Sequence, residues 1–244
     1  MSAGRITVDV PGGRVAVALH LPESAEPVAC VVACHGLNAS KESDKYLMLG
    51  EAVPAAGFAL ARFDFRGCGE SSGAEEETTI ATRIEDAEAV LAFLKSHPRL
   101  SGRVGLLGSS LGGFVALQVA ARASADIRAV VTWNAPSDLR RLGDESRADR
   151  TGIGAPLLEE LATHRFATTP GGITRHLAIH GDRDDVVPPE HGAVLHSRAA
   201  APCELLVIAG GDHRITDPEH RRRAIDASVA WFRRFLHAEG GLDE

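Results

Sequence analysis

Within the segment Gly108-Ser109-Ser110-Leu111-Gly112, one serine has a glycine two residues away on each side. An apolar run, Val104 to Leu107, precedes it, and Phe114 to Leu117 continue it with helical character. A serine set this way at a strand-to-helix turn is lifted above the sheet in a strained posture, which suits a nucleophile. Glycines are needed on both sides because only a residue without Cβ lets the neighbouring strand and the new helix come this close. Ser110 is in frame. Choosing Ser109 instead would put Leu107 and Leu111 where the glycines must be. The pattern fixes three positions of five and is weak alone, so the rest of the chain has to decide.

A serine hydroxyl is a poor nucleophile at neutral pH and needs a base within hydrogen-bond reach, itself oriented by a third group. Histidine suits the base because its pKa lies near working pH. Of the 11 histidines, His213 stands apart, in the loop Gly210-Gly211-Asp212-His213 after the last apolar strand. That position is the carboxyl edge of the sheet, where the serine turn also opens. His180 ends a strand but leads into an acidic loop, and it is expected to point inward or toward that loop. His35, at the start of a glycine turn, is read as structural support beside the nucleophile. For the orienting acid, the loop Gly181 to Pro188 offers Asp182, Asp184 and Asp185.

The elements that must position these groups follow from hydrophobic periodicity. Arg5–Val10 and Arg14–Leu21 alternate around Pro11-Gly12-Gly13, as a hairpin does. Val28–Cys34 is continuously apolar, the mark of a strand covered on both faces. A helix is expected from about Ser43 to Ala56, capped by Gly57, followed by a strand over Phe58–Asp64. A second helix spans Thr79 to His97, with Pro98 closing it. After the serine turn and its helix come a strand at Ile127–Trp133 and another at Ile173–His180. A short helix at Pro189–Arg198, a last strand at Glu204–Ala209 and a final helix opened by Asp217-Pro218 complete the chain. In that last helix Ile225, Val229, Phe232 and Leu236 form the core-facing stripe. Strands alternating with helices predict an α/β fold, a mostly parallel, doubly wound sheet with helices on both faces.

The rhythm breaks between Asn134 and Gly172. Asp138, Arg140, Arg141, Asp144, Glu145, Arg147, Asp149 and Arg150 crowd a stretch that also holds the apolar run Ala155–Leu161. A connection this long tends to be functional. It is expected to be a small helical lid, at about 135–172, inserted in a single domain of 1–244.

Composition narrows the classes. A chain of 244 residues with 44% hydrophobic content can fill one sizeable core. A formal charge of -7, with the charges interspersed, gives no footprint for nucleic acid. Arg221-Arg222-Arg223 is the densest basic run and is read as a solvated helix face. No secretory, lipidation or membrane-spanning pattern is visible, so a soluble cytoplasmic protein without membrane partners is expected. The four cysteines, Cys30, Cys34, Cys68 and Cys203, lack metal-site spacing and are expected to be reduced and mostly buried, with Cys34, before its glycine turn, the one open to reactivity.

The order serine, acid, histidine, together with His35-Gly36-Leu37 after a strand, Gly108 through Gly112 at the turn, and Gly181 through Pro188 before Gly211-Asp212-His213, resembles the α/β-hydrolase superfamily. The resemblance spans nearly the whole chain. More narrowly, His35-Gly36-Leu37-Asn38-Ala39-Ser40-Lys41-Glu42-Ser43 and Phe63-Asp64-Phe65-Arg66-Gly67-Cys68-Gly69-Glu70-Ser71 resemble small cinnamoyl (feruloyl) esterases. The resemblance implies that Asp184 is the acid, three positions after the loop glycine. It also implies an oxyanion hole from the backbone N–H groups of Leu37 and Leu111, each such donor contributing about 3 kcal/mol to the barrier. Asp64, Arg66 and Gly67 are expected to shape the neighbouring loop by ion pairing and a tight turn.

The function that follows is a serine esterase (a carboxylesterase) acting on small soluble esters through an acyl-enzyme: Ser110 attacks, His213 carries the proton and Asp184 fixes the imidazole tautomer. Neither metal nor organic cofactor is expected, and the oligomeric state is not readable. A peptidase or thioesterase using the same triad is the closest rival, since the triad serves all three leaving groups. A dienelactone-type hydrolase fits less well, because the nucleophile position holds serine rather than cysteine. A non-catalytic ligand-binding relative would be expected to lack a triad member. Only Phe166 among Phe, Tyr and Trp lies between Asn134 and Gly172, so an aromatic acyl group finds few partners there.

Overall fold

The computed structural model describes residues 3–123, 125–140, 142 and 153–237. Eight strands form one sheet: β1 (Gly4–Val10), β2 (Gly13–His20), β3 (Val28–Cys34), β4 (Ala59–Phe63), β5 (Leu100–Ser109), β6 (Ile127–Trp133), β7 (His176–Gly181) and β8 (Cys203–Ile208). Their spatial order is β1-β2-β4-β3-β5-β6-β7-β8. The β1–β2 and β2–β4 pairs are antiparallel and every other pair is parallel. The antiparallel entry and the parallel remainder are those expected from the alternation of the first twenty residues and from the apolar runs that follow.

The continuous apolar runs are explained by burial on both faces. Val32, Leu106 and Val130 point to one side, where α2 (Ile80–Lys95) and α3 (Leu111–Arg122) pack. Their chain neighbours Val31, Leu107 and Val131 point to the other, against α1 (Asp44–Ala55) and α6 (Pro218–Leu236). Because side chains alternate along a strand, two covered faces favour apolar residues at consecutive positions. The stripe Ile225, Val229, Phe232 and Leu236 of α6 is buried in the second cluster. Thr79 caps α2 by accepting from the Thr82 N–H, and Asp217 caps α6 by accepting from Glu219 and His220.

One strand boundary and one surface reading need correction, besides shifts of a residue or two at other element ends. β7 begins at His176 rather than Ile173, because Arg175 adopts φ 52°, a left-handed turn that no strand can carry. In the basic run, Arg222 and Arg223 are exposed as expected, whereas Arg221 is half-buried. Its Nε donates to the Ile215 carbonyl at 3.1 Å, so it ties α6 to the loop before it rather than lying on a solvated face.

Of the segment expected to be a lid, the described part contains α4 (Ala155–Ala162) and one antiparallel bridge from Asp138 to Thr168. Glu160 of α4 accepts from the N–H groups of Ile80 and Ala81, tying that helix to the start of α2. Arg141, Asp144, Glu145, Arg147, Asp149 and Arg150 lie outside the described residues. The fifth helix, α5 (Glu190–Arg198), follows β7 and packs on β7 and β8.

Candidate active site

Four loops leave the carboxyl ends of parallel strands on the same edge of the sheet. They follow β3, β5, β7 and β8, and they carry Leu37, Ser110, Asp184 and His213 respectively. Ligands of wound sheets sit at this edge.

Ser110 stands between β5 and α3 with φ 54° and ψ -127°, an unusual backbone posture for a residue with a Cβ. Its own N–H donates to the Trp133 carbonyl at 2.9 Å, and its carbonyl accepts from Gly113 at 2.9 Å, so the strain is held from both sides. The flanking glycines are required by contact. A Cβ on Gly108 would collide with the backbone of Gly112, and one on Gly112 with the carbonyls of Cys34 and His35.

The hydroxyl, the imidazole and the carboxylate form one row. Ser110 Oγ lies 3.0 Å from His213 Nε2, and His213 Nδ1 lies 2.8 Å from Asp184 Oδ2. With the ionised carboxylate able only to accept, Nδ1 carries the hydrogen and Nε2 is free to accept from the serine. The second Asp184 oxygen accepts from the N–H groups of Val186 at 2.9 Å and Val187 at 2.8 Å, which fixes the carboxylate plane. Of the three aspartates in that loop, Asp182 instead accepts from the Gly210 N–H at 2.6 Å, and Asp185 is exposed. The structure therefore joins Ser110, Asp184 and His213 and leaves the other two acids apart.

His35 and His180 have structural surroundings. His35 Nδ1 donates to the Gly36 carbonyl at 2.8 Å and its Nε2 accepts from the Phe65 N–H at 3.1 Å, stapling the loop after β3 to the end of β4. Burial, reinforced by the Arg83 guanidinium, pushes its pKa down to about 4. His180 Nε2 donates to the Val187 carbonyl at 2.9 Å, facing the acidic loop, and burial lowers its pKa.

The N–H groups of Leu37 and Leu111 have no hydrogen-bond partner among the described residues, and both residues line the same cavity as Ser110 and His213. That cavity measures about 880 Å³. Pro136, Leu139, Leu142 and Ile153 supply an apolar wall from the segment after β6.

Three further residues near the row are not among the candidates that the sequence singles out. Asn134, fully buried with φ 48°, donates from Nδ2 to the carbonyls of Asp212 at 2.9 Å and His213 at 2.8 Å. Its Oδ1 accepts from Gly181 at 2.8 Å. A polar residue closing an apolar strand at the carboxyl edge was the available hint. Tyr46 on α1 donates its hydroxyl to the Cys34 carbonyl at 3.1 Å, and burial raises its pKa. Lys45 donates to Ser109 Oγ at 2.7 Å. Burial, with Arg221 and Arg214 adding to it against Asp212 and Asp184, brings its pKa down to about 8.

Asp64 receives Lys41 Nζ at 2.7 Å and Arg66 pairs with Asp86 at 2.6 Å, while Gly67 turns with φ 76°, so this neighbouring loop is built as expected. Cys30, Cys34 and Cys68 are buried free thiols and Cys203 is half-buried. Burial pushes Cys34 up to about 12, so the reactivity considered for it has no thiolate to draw on at neutral pH. Among the described residues no group of His, Cys, Asp and Glu could hold a metal ion, and no helix is long and apolar enough to cross a membrane.

The sheet order, the elbow and the loops after β5, β7 and β8 define an α/β-hydrolase fold, the fold shared by solved structures similar to this chain. The sequence profile described as serine aminopeptidase, S33, matches residues 25–144. Est1E from Butyrivibrio proteoclasticus, solved with ferulic acid bound, is similar in structure at TM-score 0.82 and 20% identity, over 95% of this chain and 99% of that one. The esterase domain of a Rhodothermus marinus protein is similar at TM-score 0.74 and 26% identity, over 97% of this chain and 100% of that domain. The uncharacterized protein YfhR of Escherichia coli strain K12 is 27% identical over 199 residues, 79% of this chain and 67% of YfhR. Another curated relative is matched over only 45% of its own length.

Proposed function

We propose that the protein is a serine esterase that cleaves small carboxylic esters through an acyl-enzyme. The observation that carries this reading is the unbroken row from Ser110 Oγ through the His213 imidazole to Asp184, beneath two N–H groups that have no partner among the described residues. In the first step Ser110 Oγ bonds to the acyl carbon as its proton passes to His213 Nε2. Asp184 stabilises the resulting imidazolium and holds its tautomer. The carbonyl oxygen becomes an alkoxide, received by the N–H groups of Leu37 and Leu111, where each preorganised donor contributes about 3 kcal/mol. Collapse breaks the ester bond, His213 returns the proton to the departing alcohol, and water repeats the sequence to release the acid.

This chemistry needs neither metal nor organic cofactor. Within one domain, the described part of the expected lid supplies Pro136, Leu139, Leu142 and Ile153 as the apolar wall for the acyl chain. Buried free thiols suit a reducing, cytoplasmic setting.

The serine aminopeptidase profile supports a second reading, in which the scissile bond is an amide. Labelling the folded protein with a fluorophosphonate and mapping the modified peptide tests the nucleophile: modification of Ser110 is expected, and an unlabelled Ser110 overturns the reading. Rates on matched ester, thioester and aminoacyl-amide substrates then decide the leaving group, with the ester expected to be fastest. Substrate binding without turnover of any of the three would instead identify a binding protein.

A further inference from the structure

Among the described residues, the three most buried cations outside the cavity are each neutralised at short range. Lys41 meets Asp64 at 2.7 Å and Glu70 at 2.6 Å, Arg62 meets Glu42 at 3.0 Å, and Arg83 meets Glu75 at 2.9 Å. Lys45 is the exception inside the cavity. Among the described residues its ammonium has one hydrogen-bond partner, the neutral Ser109 hydroxyl, and forms no ion pair with a carboxylate. A lysine ammonium carries three N–H donors, so two are left for something else.

The charges around it point the same way. Arg214 lines the same cavity and is exposed, with no carboxylate partner among the described residues. Arg221 lies 3.8 Å from the exposed Asp44, a contact largely screened by water. The positive end of α1, which begins at Asp44, opens on the same wall. The other acids lining the cavity are Asp138, 3.5 Å from Arg140, and the exposed Asp185. A half-buried cation, unlike an exposed acid, gains from a counter-charge delivered by a ligand. The low pKa of Lys45 expresses the cost of leaving it without one.

We propose that the cavity selects esters carrying a carboxylate, and that the Lys45 ammonium, one residue's reach from Ser110 through Ser109, receives that carboxylate. This rests on the esterase reading and names its substrate class. Lys45 is thereby a specificity-determining residue, distinct from the groups that move the proton.

The test compares phenyl hemiglutarate, which ends in a carboxylate, with phenyl pentanoate, a neutral ester of similar length. The ratio of kcat/KM, anionic over neutral, is expected to fall at least about tenfold in Lys45→Met, the scale of a charge-assisted hydrogen bond. Lys45→Arg, which keeps the charge, is expected to retain most of the ratio. An unchanged ratio in Lys45→Met, or an equal loss in Lys45→Arg, overturns the proposal. If the parent hydrolyses neither ester, the esterase reading has failed on its own, and binding still answers the question. Calorimetric titration of Ser110→Ala with phenyl hemiglutarate is then expected to show affinity that Lys45→Met/Ser110→Ala lacks, and equal affinity in the two variants overturns the carboxylate site.

Discussion

Asn134 holds the backbone of His213. Its side-chain amide donates to the carbonyls of residues 212 and 213 and accepts from Gly181, joining the ends of β6, β7 and β8 through one buried side chain. The loop it secures is further tied by Asp212, which accepts from the N–H groups of Arg214 at 2.8 Å and Thr216 at 3.1 Å.

In Asn134→Asp the shape persists but the carboxylate has no N–H for the two carbonyls, so the imidazole loses its register with Ser110. Kcat is expected to fall by about 10- to 100-fold, on the scale of a small misplacement in a reacting geometry, while KM changes little. A parallel rise in KM with kcat intact would mean that Asn134 shapes the substrate cavity instead. Thermal melting should show a loss of about 1–3 kcal/mol, since buried acceptors are left unmet.

Asp184→Asn keeps the volume of the side chain but presents either an N–H or a neutral oxygen to His213 Nδ1. The imidazole then favours the tautomer that cannot accept from Ser110. A drop in kcat of about 10⁴-fold is expected, with substrate affinity retained. Asp182→Asn, by contrast, weakens only an acceptor for Gly210 and should leave kcat within a few-fold. Equal losses in the two variants would count against Asp184 as the orienting acid.

Acid should destabilise the protein through its buried histidines, His35 and His176 above all. Burial holds His35 and His176 each at about 4, below the ordinary value of 6.5. The unfolded chain therefore takes up these protons first, and stability is complete above pH 6.5 and falls as pH drops toward 4. Each site can cost on the order of 3 kcal/mol across that window. Chemical denaturation at pH 7, 5.5 and 4.5 measures it, and His176→Gln should flatten part of the slope, because Gln can still bond the Thr132 hydroxyl that His176 meets at 2.9 Å. A stability profile flat from pH 7 to 4.5 would contradict the assignment.

Much of the fold was legible because burial on both faces leaves a mark that polar pressure cannot imitate. Val28–Cys34 and Ile127–Trp133 have the boundaries expected from the sequence, since a doubly covered strand is apolar at most of its positions, with Arg128 and Thr132 the exceptions in the second. Ser110 and His213 were legible for a related reason, the glycines that close packing demands around the elbow and the last loop. Asp184 could not be separated from Asp182 and Asp185 by spacing alone. The difference lies in which carboxylate the N–H groups of Val186 and Val187 orient, a property of loop conformation. Lys45 and Asn134 were not legible, because a single polar residue gives no periodic signal and its direction depends on contacts 64 and 79 positions away.

The posture of Ser110, with its positive φ, sets two engineering aims against each other. A left-handed or otherwise sparsely populated backbone at a residue with a Cβ carries a standing cost of about 1–3 kcal/mol. Glycine at that position would relax the tension and discard the hydroxyl in the same stroke. Heat tolerance in this protein has to be sought away from the elbow, in the outer helices and surface turns, where a sturdier residue disturbs no reacting atom.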